Sequence, residues 1–252
     1  MKLRLYVLAM TVLAVMSVVV EDASARFVDY SAPSKFIEVD VHALGGGSSV
    51  TQNYRGCFPQ IQNLNVNMGY SLGVGARAVF GFRNYLGFGT ELDLLLNNYN
   101  IDMAVLGSDN MSMSAVFVDN RFYYVNIPVF MSFRFNVAKS VRWNVDAGMY
   151  YAYGIGGTQK QRIYRADINE MEELVPQVVN IKTGYFHSRE TFINSFNRGD
   201  LGVHLGTSLN FGPHLVVGCK FQIGIKNSAR ENGIINPNIH NYNLHGVIGY
   251  RF

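Results

Sequence analysis

From residue 36 onward apolar and polar positions alternate with a period of two, the pattern of strands with one apolar face. The clearest stretch is VNMGYSLGVGARAVF, residues 66–80. There Val66, Met68, Tyr70, Leu72, Val74, Ala76, Ala78 and Phe80 share one face, and Asn67, Gly69, Ser71, Gly73, Gly75 and Arg77 share the other. The same alternation runs over 36–44, 86–97, 122–135, 141–154, 200–211, 215–226 and 241–252, which makes eight predicted strands. The connections alternate as well. Those from Phe82 to Tyr85, over 136–140 and over 212–214 are short; those over 45–65, 98–121, 155–199 and 227–240 are long. Short turns on one side and long loops on the other predict an all-β, antiparallel, up-and-down transmembrane β-barrel. An even strand number puts both chain ends on the short-turn, periplasmic side and the long loops outside the cell.

Period two alone does not say which face looks outward, since a soluble barrel turns its apolar face inward. An eight-stranded interior is only just wide enough for side chains to fill it. The apolar set, with its many Phe and Leu and Trp143, would overfill that space, whereas the polar set is rich in glycine, among them Gly69, Gly73, Gly75, Gly148, Gly202, Gly206 and Gly218. Aromatics also gather near the strand ends, as interface girdles do. Phe80, Phe82, Phe133, Phe135, Trp143, Phe211, Tyr250 and Phe252 would mark one rim; Tyr123, Tyr151, Tyr153 and Tyr242 the other. The apolar set carries no charged residue, and a Lys or Arg facing lipid at mid-depth costs about 2–4 kcal/mol. The apolar face therefore looks into a bilayer.

Composition changes this picture little. A net charge of +3 is too small to imply nucleic acid. No apolar run of spanning length lies within 26–252, which excludes a helical membrane protein. The N-terminus, with Lys2 and Arg4, an apolar stretch from Leu5 to Val20 and Ala23-Ser24-Ala25, has the form of a secretory signal peptide, so residues 1–25 are expected to be removed and 26–252 to form the barrel domain. Cys57 falls in a predicted loop and Cys219 in mid-strand, too far apart to pair.

The inward set holds Glu38, Asp40, Glu91, Asp93 and Asp146 against Arg77, Arg134, Arg142, Lys220, Lys226 and Arg251. Buried charges must be paired or they cost several kcal/mol each, and a selective pore would show one dominant sign. The near balance predicts a salt-bridged plug, with a narrow channel as the alternative. His42, His204 and His245 also face inward, but no HxH or HxxxH spacing joins them, so no metal and no cofactor is assigned. A lipid-modifying enzyme is the remoter alternative. It would draw on His187 with Ser188 or Ser195, or on His240, and no acid is placed by spacing, so no catalytic residue is named.

In the longest loop DINEMEELVP predicts a two-turn helix. Asp167 caps it, Glu170 stands three residues on, Pro176 stops it, and Ile168, Met171 and Leu174 form a candidate docking face. The flanking stretches are aromatic and β-prone, so strands three to six can continue beyond the membrane and a count of ten remains open. The layout resembles the eight-stranded outer-membrane barrels of Bacteroidota called PorT-like, on YYVNIPVFMSFRF (123–135), DLGVHLGTSLNFGPHLVVGCKFQIGI (200–225) and LHGVIGYRF (244–252). That resemblance implies the bacterial outer membrane and includes a link to protein secretion, but supplies no functional residues. The last strand also resembles the terminal signal read by the barrel-assembly machinery, with Tyr250 and Phe252 in its key places and Gly246 departing from it. The expected protein is a non-enzymatic, lumen-plugged scaffold or accessory subunit of an envelope or secretion complex. Its expected partners are outer-membrane lipid, the assembly machinery during biogenesis and an envelope protein bound through the loops.

Overall fold

Strand length is the first thing the alternation does not convey. The chain forms β1 (Phe36–Gln52), β2 (Ile61–Arg83), β3 (Leu86–Leu106), β4 (Met113–Ala138), β5 (Val141–Ile168), β6 (Leu174–Gly184), β7 (Gly199–Phe211), β8 (Leu215–Gly224) and β9 (Ile239–Arg251), with a single turn of helix, α1 (Tyr54–Cys57), between β1 and β2. The computed structural model describes residues 27–32, 34–107, 112–168, 174–186, 196–230 and 237–252. The predicted signal segment 1–25 lies outside them.

All pairings are antiparallel. The sheet order is β4-β3-β2-β1-β9-β8-β7-β5-β6, and β4 also pairs with β5, so eight strands close a ring and β6 hangs on β5. β5 changes neighbour along its length. Val141 to Tyr153 pair with β7, and Thr158 to Ile168 pair with β6. The short-turn end is tight, with two residues between β2 and β3, two between β4 and β5, and three between β7 and β8. The last of these turns needs Gly212, whose φ of 58° lies in the left-handed region. Phe27 stacks on Phe135 at 4.9 Å, and the Asn84 side chain donates to Asp29 at 3.2 Å and Ser31 at 2.7 Å, so the segment before β1 lies across this end.

A tilted strand needs about 9–11 residues to cross a bilayer. β7, β8 and β9, with 13, 10 and 13 residues, do little more than that. β2 to β5, with 23, 21, 26 and 28, run on at the far end as a tall one-sided wall. Most of the predicted long loops 45–65, 98–121 and 155–199 is therefore strand, whereas of the described residues in 227–240 only the last two are. Of the predicted helix over 167–176, the described residues 167–168 and 174–176 are strand: Ile168 and Leu174 form the last pair of the β5–β6 ladder, and residues 169–173, Glu170 and Met171 among them, lie outside the described residues. A two-turn helix is marginal in water, whereas eleven ladder pairs with β5 and the β-branched run Val175, Val178, Val179 and Ile181 favour the strand.

The wall reverses its polarity with height. Near the short-turn end Ile37, Leu72, Val74, Leu92, Val129, Leu205 and Ile248 face outward, while Asp40, Arg77, Asp93, Ser132 and Asp146 are buried inside. Toward the far end Tyr99, Ile101, Met103, Val116 and Val118 fill the inside, and Arg121 and Asp119 face out. In β2 the switch is made by a bulge: the register shifts between Met68 and Ser71, so Leu64 and Val66 turn toward the core while Tyr70 and Leu72 stay outside. Val66 is thus on the opposite face from the one its sequence parity predicts.

Candidate functional site

The interior is built in three layers, starting at the short-turn end. On β1, Glu38 accepts from three arginines: Arg134 of β4 in a close ion pair, Arg142 of β5 at 3.3 Å and Arg251 of β9 at 3.0 Å. Arg134 lies over the Phe36 ring at 3.7 Å. Arg251 also donates to the Pro213 and Gly212 carbonyls at 2.9 and 2.8 Å, which ties the β7–β8 turn to the closing strand.

Above this mouth sits a dense charged layer. Arg77 donates to both oxygens of Asp146, at 3.0 and 2.8 Å, and pairs with Glu91 at 3.4 Å and Asp40 at 3.5 Å. Ser132 donates to Asp146 at 2.5 Å. Lys220 forms a close ion pair with Glu91 and approaches Asp93 at 3.8 Å. His42 spans two carboxylates, with Nδ1 at 3.1 Å from Asp40 and Nε2 at 2.9 Å from Asp93. All of these side chains are buried, so their mutual pairing is what makes the layer tolerable. Two glycines make room for it. A side chain on Gly75 would run into the Asp93 carboxylate and His42, and one on Gly89 into the ring of Phe130, over which Arg77 lies at 5.3 Å. A void of about 20 Å³ within this layer is lined by Asp40, His42, Arg77, Glu91 and Asp146 among others. That is room for about one water.

Of the eleven charged residues expected in the lumen, the structure brings ten together. Lys226 does not join them: β8 ends at Gly224, the chain leaves the ladder, and Lys226 is exposed. Two-residue parity has no meaning past the end of a strand. Without Lys226 the network has five acids and five bases, a closer balance than the sequence implies. His42, Glu91 and Asp93 could each offer a ligand atom, all within 4.8 Å of one another. The Lys220 ammonium already stands among them, 3.0 Å from His42 Nε2 and paired with Glu91, so the trio has its cation. His204 and His245 sit elsewhere, the first near Gln222 at 3.1 Å and the second near Ser71 at 2.6 Å.

The third layer is apolar and was not foreseen from the sequence. Tyr185 and Phe186, just after β6, and Phe196, just before β7, fold into the far end of the barrel. The Tyr185 ring lies between Phe122 at 4.4 Å and Phe196 at 4.2 Å, stacked on both, and its hydroxyl meets that of Tyr99 at 2.9 Å. Burial pushes the Tyr185 phenol well above its usual value, with Tyr99 beside it adding to the shift, so the cap is uncharged in ordinary buffers. Tyr54 of α1 is buried in the same cluster. Outward β-prone residues hid this cap, because Tyr185, Phe186 and Phe196 stand between strands and belong to no alternating run. Of the groups considered for catalysis, His187, Ser188 and Ser195 lie outside the described residues, and His240 is half-buried at the start of β9. Cys57 and Cys219 are not joined by a disulfide.

Residues 30–230 match the outer membrane protein β-barrel domain family. The chain belongs to that family. Its place is the bacterial outer membrane, and barrels of this kind carry short turns on the periplasmic side and long connections outside, which would put the tall wall outside the cell. No curated protein matches the sequence. Among solved structures, the chain is similar to the attachment invasion locus protein Ail of Yersinia pestis, solved with the heparin analogue sucrose octasulfate, at 11% identity over 88% of this chain and 100% of that one, with a TM-score of 0.37. It is similar to OprG of Pseudomonas aeruginosa at 8% identity over 88% and 96%, TM-score 0.33, and to the outer membrane protease OmpT of Escherichia coli at 11% over 91% and 99%, TM-score 0.35.

Proposed function

We propose that this barrel is a closed scaffold, working through its extracellular wall as a stand-alone binding protein or as an accessory subunit of an envelope or secretion complex. The observation that carries this is the filled interior: a balanced ion-pair layer with room for about one water lies beneath an aromatic cap, while β2 to β6 project beyond the membrane. A conducting pore would need a continuous wet path of favoured sign. The PorT-like resemblance supports the same setting as a finer family reading, with residues 1–25 a signal peptide, 26–252 the mature barrel, and Tyr250 and Phe252 read by the assembly machinery.

Photo-crosslinking in intact cells tests this, with the probe placed in turn at Val178 and Asn180 on the exposed outer face of β6. One reproducible protein adduct is expected if the barrel is a complex subunit. Planar-bilayer recording of the purified protein should give no stepwise conductance, and discrete channel openings would overturn the closed scaffold.

A further inference from the structure

On the outer wall an apolar cavity of about 490 Å³ opens at the extracellular end of the lipid-facing belt. Leu72, Val74, Leu94, Leu96, Tyr123 and Ile155 line it, and Gly73 is part of the lining with Leu44 and Leu95 behind it. The volume lies within the ~300–1,000 Å³ usual for ligand sites. Its shape comes from a local irregularity, since the β4–β5 register slips at Tyr123 and Tyr124 and leaves Ile155 unpaired.

Further along the wall β4, β5 and the neighbouring β6 carry cations. Arg121 lies two residues past Tyr123 on the same outward face of β4, a step of about 7 Å. Lys160 and Arg162 of β5 and Lys182 of β6 are also exposed and flanked on their strands by inward-facing residues. Lys160 and Lys182 are cross-strand partners, and like charges placed opposite one another destabilise a sheet. On its other side Lys160 faces Asp119 of β4 in the ladder, and that carboxylate is engaged by Arg162 at 3.6 Å; Asp102 one strand further is held by Asn67 at 2.7 Å. The arrangement has an apolar slot at acyl depth and, beyond it, exposed Arg121, Lys160, Arg162 and Lys182 set against Asp119, with Lys160 and Lys182 opposed on the β5–β6 side.

We propose that this wall binds one phosphorylated, acylated lipid of the outer leaflet, with an acyl chain in the cavity and phosphate bridging Lys160 and Lys182, flanked by Arg121 and Arg162. The bridging anion relieves the lysine pair, and Arg and Lys are the side chains suited to phosphate. The site rests on the outer-membrane setting and not on the scaffold role, so it stands or falls separately from that proposal.

The test is native mass spectrometry of the full-length purified protein, titrated with bisphosphorylated lipid A, monophosphorylated lipid A and phosphatidylcholine. One molecule of bisphosphorylated lipid A is expected to be retained in preference to the others. The K160Q/K182Q variant should lose about tenfold or more of that affinity. The Ile155→Trp variant, which fills the slot, should weaken binding of both lipid A forms, and Arg83→Gln at the periplasmic end should leave it unchanged. Equal retention of phosphatidylcholine, or unaltered binding by K160Q/K182Q, would overturn the site. Full binding by Ile155→Trp would overturn the acyl slot and with it the joint arrangement.

Discussion

Gly75 shows what a single position in this lumen has to satisfy. Its partner across β1 is His42 and across β3 is Asp93, and a Cβ added there would meet His42 Nε2 at 2.8 Å as well as the Asp93 carboxylate. Neither group can retreat, because Asp40, Asn126 and Lys220 hold them from the other side. Gly75→Ala is therefore expected to destabilise the barrel by about 1–3 kcal/mol, read as a lower urea midpoint for refolding into vesicles. An unchanged midpoint would mean that the charged layer is looser than its distances imply. The sequence made Gly75 legible as an inward residue, and period two is enough for that. It could not show which carboxylate the missing side chain leaves room for, since His42 and Asp93 are brought together only by the pairing of β1, β2 and β3. The same limit explains Lys226: parity counts residues, and only the ladder says where counting stops.

At the scale of elements, the strands near the short turns were fully legible and their extensions were not. The reason is the reversal of polarity. Where a strand exchanges its wet and dry sides through a bulge, as β2 does between Met68 and Ser71, sequence parity runs on unbroken and puts residues beyond the bulge, such as Val66, on the wrong face. β6 was hidden for a different reason. Its local signals, Asp167, Glu170 and Pro176, are those of a short helix, and the tertiary ladder with β5 overrides them. The extension is held by the aromatic cap more than by its hydrogen bonds, which continue in any paired strand. Tyr185 is the centre of that cap, between Phe122 and Phe196 with its hydroxyl on Tyr99. Tyr185→Ala should thus cost about 3–5 kcal/mol locally, and it leaves Tyr99 with a buried hydroxyl and no Tyr185 partner. Rapid protease cleavage between β6 and β7 is expected in intact cells, while the heat-modifiable gel shift of the barrel persists. Loss of the gel shift as well would show that the cap and the membrane ring fold as one unit.

For the whole molecule, closure of the ring is the step on which everything else depends. β9 joins β1 over thirteen residue pairs and β8 on its other side, so the ring is complete only when this last strand docks. Its outward face is Leu244, Ile248, Tyr250 and Phe252, and Tyr250 and Phe252 touch edge to face at 5.3 Å. Phe252 is 75% exposed and is fixed to the barrel by its N–H to the Val39 carbonyl at 3.0 Å. In the finished barrel a ring so exposed faces the lipid interface and makes few contacts within the protein, so its packing contribution is small. During assembly the case differs, because an unpaired β9 must be held and delivered to β1, and outward aromatics are what it offers to a membrane or to the assembly machinery. Tyr250→Ala with Phe252→Ala is accordingly expected to slow appearance of the heat-modifiable form severalfold in pulse-chase labelling, a larger effect than the fall in the urea midpoint of the assembled protein. A lowered midpoint with normal assembly kinetics would place the role of these rings in the finished structure instead. The lumen predicts which way this falls: Arg251, between the two rings on the strand, already anchors the folded end inside through Glu38, Gly212 and Pro213, and outside Tyr250 adds one stacked contact, with His214 at 4.8 Å, while Phe252 reaches toward lipid.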